Sequence, residues 1–141
     1  MSLLKKYKLQ GHEAVECAEL LEWARWFETA DRQVAEDFID DPEAGQTLRV
    51  STVFLGLDYR FGGKGPPLIF ETMAFGPKEE MIDLRGRIRT VSIVLPFQLR
   101  YSTLDEAVIG HVQICNDVRE TIADRQREIA AAVAKAKEPH D

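Results

Sequence analysis

Cysteine is scarce: Cys17 and Cys115 are the only two in 141 residues, and neither sits in a CxxC pair or a Cys/His cluster. With no ligand spacing of the zinc type, no metal site is expected, and both thiols read as small buried apolar groups within helical segments. Long apolar runs are also missing. No window approaches the roughly 18 residues of a membrane helix, and Met1 to Lys8 carries basic residues without the apolar stretch or small-residue cleavage site of an export signal. A cytoplasmic location and no membrane partner are therefore expected. Basic residues are in deficit, 18 against 24 acidic ones, for a net charge of −6. That balance repels a phosphate backbone at long range, so nucleic acid is not an expected partner. Internal repeats and low-complexity segments are lacking.

What is present is enough apolar mass for one core. A chain of this length that is 45% hydrophobic reads as one domain over residues 1–141, needing neither metal nor disulfide staples. After an extended start at Lys6 to Gln10, the stretch Glu16 to Ala30 places Cys17, Leu20, Leu21, Trp23, Ala24 and Phe27 three and four residues apart, which predicts a helix with one buried face. Arg32 to Ile39 shortens towards alternation. The run Asp40-Asp41-Pro42-Glu43-Ala44-Gly45 is a turn by composition, so a hairpin with Leu48 to Asp58 follows. That second arm is β-branched and apolar on both faces, as a central strand is.

The Gly/Pro-rich segment Phe61 to Pro67 breaks regular structure. Leu68 to Phe75 then resumes a strand that pairs back on the preceding one, and Gly76-Pro77 is expected to end it. Lys78 to Gly86 reads as a charged loop, and Arg87 to Tyr101 as an extended stretch interrupted at Pro96. Thr103 with Glu106 matches a capping box for a last helix reaching about Ala136. The fold class is thus α+β: an antiparallel sheet of about four strands between an N-terminal helix and a long C-terminal one.

Such a last helix spans about 50 Å, whereas a compact domain of this size has a radius of gyration of about 14 Å. Its own domain does not cover it throughout. Either it bends, with Gly110 the weak point, or residues 123–141 project, carrying Ile129 and Val133 towards a second copy or another protein. The third reading is a frayed, solvated end.

Several constellations invite chemistry. Gly63-Lys64-Gly65 offers exposed amides beside a lysine, a cradle for an anion, although a P-loop would run into a helix rather than into Pro66-Pro67 and a strand. Arg85, Arg87 and Arg89 alternate and would project from one strand face as a clamp for a phosphate or carboxylate. Pairing with acidic neighbours is the plainer reading. Asp58 and Glu71 come together if their strands pair in the right register, and a carboxylate pair divides acid and base roles. Otherwise Asp58 caps the loop amides and Glu71 meets an arginine. His111 lies on the apolar face of the last helix, and His12 and His140 lie near the ends. With no serine or cysteine nucleophile set beside a histidine, no catalytic residue is assigned and no cofactor is implied. Trp26 lies at the edge of the first helix's buried stripe, where a surface contact is open to it.

The segments Trp23-Ala24-Arg25-Trp26-Phe27-Glu28, Val50 to Asp58, Pro66 to Met73 with Phe75-Gly76, and Arg100-Tyr101-Ser102-Thr103 leading to Gly110-His111 resemble a family of small proteins encoded by bacteriophages and prophages. The likeness covers most of Cys17 to His111. It implies a phage origin and a setting in the host cytoplasm, and it assigns no activity. Two stretches depart from the pattern: Met81 to Phe97 is longer, and the tail after Cys115 is extended.

Three functions are thus open. The first is a non-enzymatic phage accessory module that binds a host or phage protein, or itself, through the C-terminal helix. The second is a binder of an anionic nucleotide or signal molecule on Arg85, Arg87, Arg89 and the Gly63–Gly65 loop. The third is a carboxylate enzyme using Asp58 and Glu71.

Overall fold

The computed structural model describes residues 4–139, so His140 lies outside them. The chain forms a short hairpin, β1 (Tyr7–Gln10) and β2 (Glu13–Glu16), then helix α1 (Leu20–Thr29), four strands β3 (Gln33–Asp41), β4 (Gln46–Phe54), β5 (Phe70–Ile82) and β6 (Ile88–Tyr101), and helix α2 (Leu104–Ala136). The four strands make one antiparallel sheet in the order β3-β4-β5-β6. This is an α+β fold of the expected kind, with no helix long and apolar enough to cross a membrane among the described residues.

The inner strands pair as their composition demands. Arg49 lies opposite Phe75, Thr52 opposite Thr72 and Phe54 opposite Phe70. Alternation then puts Leu48, Val50, Thr52 and Phe54 of β4 on the face that α2 covers, each buried. β4 stops at Phe54 rather than running to Asp58, because Gly56 adopts a left-handed φ of 77°. Beyond it, Leu57 bridges to Lys6, so the chain leaves the sheet to meet its own N-terminus.

Gly76-Pro77 does not end β5, and Lys78 to Ile82 is strand rather than loop. Gly76 and Pro77 together oppose the single residue Ile93, which makes a bulge between the Phe75–Val94 and Lys78–Ser92 pairs. A bulge leaves its extra residue out of the ladder, so the proline's missing N–H costs no bond there. Pro96 likewise falls in the irregularity between Gln98 and Val94, and β6 continues through it.

The first helix also differs from its expectation. Glu13 to Glu16 is taken up as β2, antiparallel to β1, so Cys17 precedes α1 in a non-helical stretch where it is buried. Glu19 caps α1 by accepting from the Leu21 and Glu22 amides at 3.3 and 2.6 Å. Leu20 and Leu21 are 62% and 63% exposed. The helix docks instead by its aromatics: Trp23 stacks on Phe27 with centroids 4.8 Å apart, and its indole N–H donates to the carbonyls of Tyr7 (3.0 Å) and Gly56 (3.1 Å).

α2 begins where the capping pattern places it. Thr103 Oγ1 accepts from the Glu106 amide at 3.1 Å and donates to the Glu106 carboxylate at 3.0 Å. Helix α2 is uninterrupted through Gly110. It buries Ala107, Gly110, His111, Ile114, Cys115, Val118 and Ile122 against the sheet, whereas every residue from Arg127 to Pro139 is exposed.

Candidate functional site

The core is divided in two. Ile39, Leu48, Val50, Ala74, Ile114, Cys115, Val118 and Ile122 form one apolar cluster, and Phe54, Ile69, Phe70, Tyr101 and Ala107 form the other. Between them, polar side chains run across the sheet from edge strand β6 to edge strand β3. The Tyr101 hydroxyl donates to Thr72 Oγ1 at 3.1 Å. Thr72 Oγ1 lies 2.5 Å from Thr52 Oγ1, its cross-strand neighbour. Thr52 Oγ1 then meets His111 Nδ1 at 2.7 Å, and His111 Nε2 meets Asp37 Oδ2 at 2.7 Å. Cys115, one helical turn after His111, donates its thiol to the same Asp37 oxygen at 3.8 Å.

Threonines suit this seam because they keep the β-branched shape of a strand residue while supplying a hydroxyl. Both are fully buried, and no buried side-chain nitrogen or oxygen lacks a partner among the described residues. The far end is wet. Asp37 stands on the edge strand β3 with its side chain 51% exposed, against 4% for His111. Burial pushes the Cys115 thiol up, and the Asp37 charge adds to the effect. Burial likewise raises the Tyr101 phenol.

Thr52, His111 and Asp37 follow the order of a hydroxyl–imidazole–carboxylate relay. Thr52 Oγ1, however, is enclosed between sheet and helix, and no reacting carbonyl can be brought within about 3 Å of it. What the seam does offer is a triangle of donors. His111, Cys115 and Asp37 each present one ligand-type atom, and these atoms lie within 4.8 Å of one another. The sequence signal for it was the spacing of four between His111 and Cys115 on one helix face. Asp37 is 74 residues from His111, and only sheet register brings it there.

The residues singled out from sequence are placed elsewhere. Asp83 Oδ1, in the β5–β6 turn, accepts from the Arg85 and Arg87 amides at 2.8 and 2.9 Å. Its Oδ2 meets Arg87 Nε at 2.9 Å and Arg89 Nε at 3.3 Å. These bonds, the Arg87 amide first, hold the Asp83 carboxyl below its usual range. The Arg87 and Arg89 guanidiniums thus pair with an acidic neighbour, while Arg85 lies in the turn rather than on a strand and gives only its amide, so the three do not form one strand face. Gly63-Lys64-Gly65 wraps the Arg60 side chain, whose Nε donates to the Pro66 carbonyl at 2.6 Å. The loop precedes β5 and the arginines follow it, so this strand separates them by about 40 Å at ordinary rise. They do not form one site.

Asp58 and Glu71 are each engaged separately. Asp58 Oδ1 accepts from the Arg60 and Leu68 amides at 2.9 and 3.0 Å. Glu71 Oε2 accepts from Gln98 Nε2 and Arg100 Nε, both at 2.7 Å. Trp26 is half-buried, its ring edge-on to Phe54 at 5.7 Å. Ile129 and Val133 are 45% and 46% exposed on the outer half of α2. Compared with protein-family models, curated proteins and solved structures, the chain matches none of them.

Proposed function

We propose that this chain is a non-enzymatic binding module, a phage or prophage accessory protein of the host cytoplasm, that pairs with a second copy through the outer half of α2 and acts in that form on a host or phage partner. The stripe that seals the core is the observation that carries this reading. His111, Cys115, Val118 and Ile122 pack on the sheet, and after one polar step at Arg125 and Gln126 the same face carries Ile129, Val133 and Ala136, exposed. A stripe of this period is covered most simply by another helix. Asp124, Arg127, Glu128 and Lys135 put both charge signs beside it, which suits an antiparallel copy of the same segment.

The test is the mass in solution of the full chain and of its Ile129→Lys/Val133→Lys variant, by light scattering at micromolar concentration. A dimer that becomes a monomer of unchanged circular dichroism and melting cooperativity is expected. A wild-type chain that is already monomeric overturns the reading.

A further inference from the structure

We infer that Asp37, His111 and Cys115 form a binding site for a divalent transition metal of the zinc class. The inference is independent of pairing through α2, whose outer half lies beyond these residues. Imidazole nitrogen, thiolate sulfur and carboxylate oxygen are the donors that such ions take, with metal–ligand bonds of about 2.0–2.3 Å. In a tetrahedral shell those bonds place neighbouring donors about 3.3–3.6 Å apart. Here His111 Nε2 and Asp37 Oδ2 are 2.7 Å apart, and Cys115 Sγ and Asp37 Oδ2 are 3.8 Å apart. A shift of about half an ångström of the exposed Asp37 side chain widens the first gap into range, and rotation of the Cys115 thiol closes its separation from His111 Nε2, which is within 4.8 Å.

Three further features fit an ion. Two of the ligands share one rigid element, His111 and Cys115 being one turn apart on the buried face of α2. The ring's other nitrogen is already fixed: Nδ1 sits 2.7 Å from Thr52 Oγ1, and a hydrogen-bond partner at that nitrogen sets the tautomer of a ligating histidine. The hydroxyls of Thr52, Thr72 and Tyr101 rotate, so Thr52 can accept from Nδ1–H when Nε2 turns to a metal. Finally, the half-exposed Asp37 on an edge strand leaves an entry path and a fourth position facing solvent, open to water or to a donor group of a bound molecule. Magnesium and calcium are disfavoured, since they call for oxygen ligands throughout.

Cobalt(II) and zinc(II) alone are the probes, added to the full chain after chelation and thiol reduction. One cobalt per chain is expected, with a near-ultraviolet sulfur-to-cobalt charge-transfer band and visible bands of tetrahedral intensity, displaced by zinc. Cys115→Ala should abolish the charge-transfer band and weaken zinc binding about tenfold or more. Asp37→Asn, on the surface and tolerant of change, should weaken it similarly with an unaltered circular dichroism spectrum. Cys17→Ala should alter neither. No stoichiometric uptake, a band that survives in Cys115→Ala, or affinity indifferent to Asp37→Asn overturns the site and leaves the cluster as a hydrogen-bonded anchor for a buried histidine.

Discussion

Gly110 faces the ring of Tyr101 so closely that a Cβ built at position 110 falls within it. This contact brings the start of α2 down onto the end of β6, only a few residues away in the chain, and lets the Tyr101 hydroxyl reach Thr72. Mid-helix glycine costs about 1 kcal/mol relative to alanine. Overpacking typically costs about 1–3 kcal/mol, and an aromatic ring held by its neighbours has little room to yield. Gly110→Ala is therefore expected to destabilise the fold by about 2 kcal/mol, read from urea denaturation. Combining it with Tyr101→Ala should cost less than the sum of the two single changes, whereas strict additivity would disprove the contact.

Thr52 is the hinge of the polar seam, bonded at one oxygen to both Thr72 and His111. Thr52→Val keeps the shape and leaves the His111 ring nitrogen without a partner in a dry place. A buried polar group so orphaned costs about 1–3 kcal/mol. The urea midpoint should fall accordingly at unchanged slope, and a loss below about 0.5 kcal/mol would show that the seam is replaceable by water.

Asp41 offers a test by pH. Arg125 is its main partner, with Gln46 Nε2 at 3.1 Å and the Ala44 amide as lesser ones, and together they hold the carboxyl below its ordinary range. A group whose folded pKa is depressed binds fewer protons in the native state, so its contribution is present above the unfolded value of about 3.9 and is lost as pH falls through the lower folded one. Melting temperatures of the wild type and of Asp41→Asn, followed from pH 7 downward, should differ most near neutrality and converge below about pH 4. Parallel curves would mean that the pair adds nothing to native stability.

Much of this fold was readable along the chain. The β-branched, apolar run of β4, the Pro42-to-Gly45 turn and the Thr103 cap are local, and each acts through the backbone geometry of its own segment. The readings that changed rest on partners that the segment does not name. Gly76-Pro77 looks like a stop until β6 supplies the strand against which it bulges. Leu20 and Leu21 look like core until β2 takes up the preceding residues and leaves the helix to dock by Trp23, Trp26 and Phe27.

The sequence by itself determined the fold class, the pairing of the inner strands and the excess length of α2, because periodicity, turn chemistry and rise per residue are properties of short windows. Tertiary structure alone decided that Arg87 and Arg89 close on Asp83, that the Gly63–Gly65 loop and those arginines occupy opposite ends of a strand, and that Asp37 reaches His111 and Cys115. Each of these depends on register across the sheet, where side chains face alternate ways and a slip of one residue would turn Asp37 away from the helix.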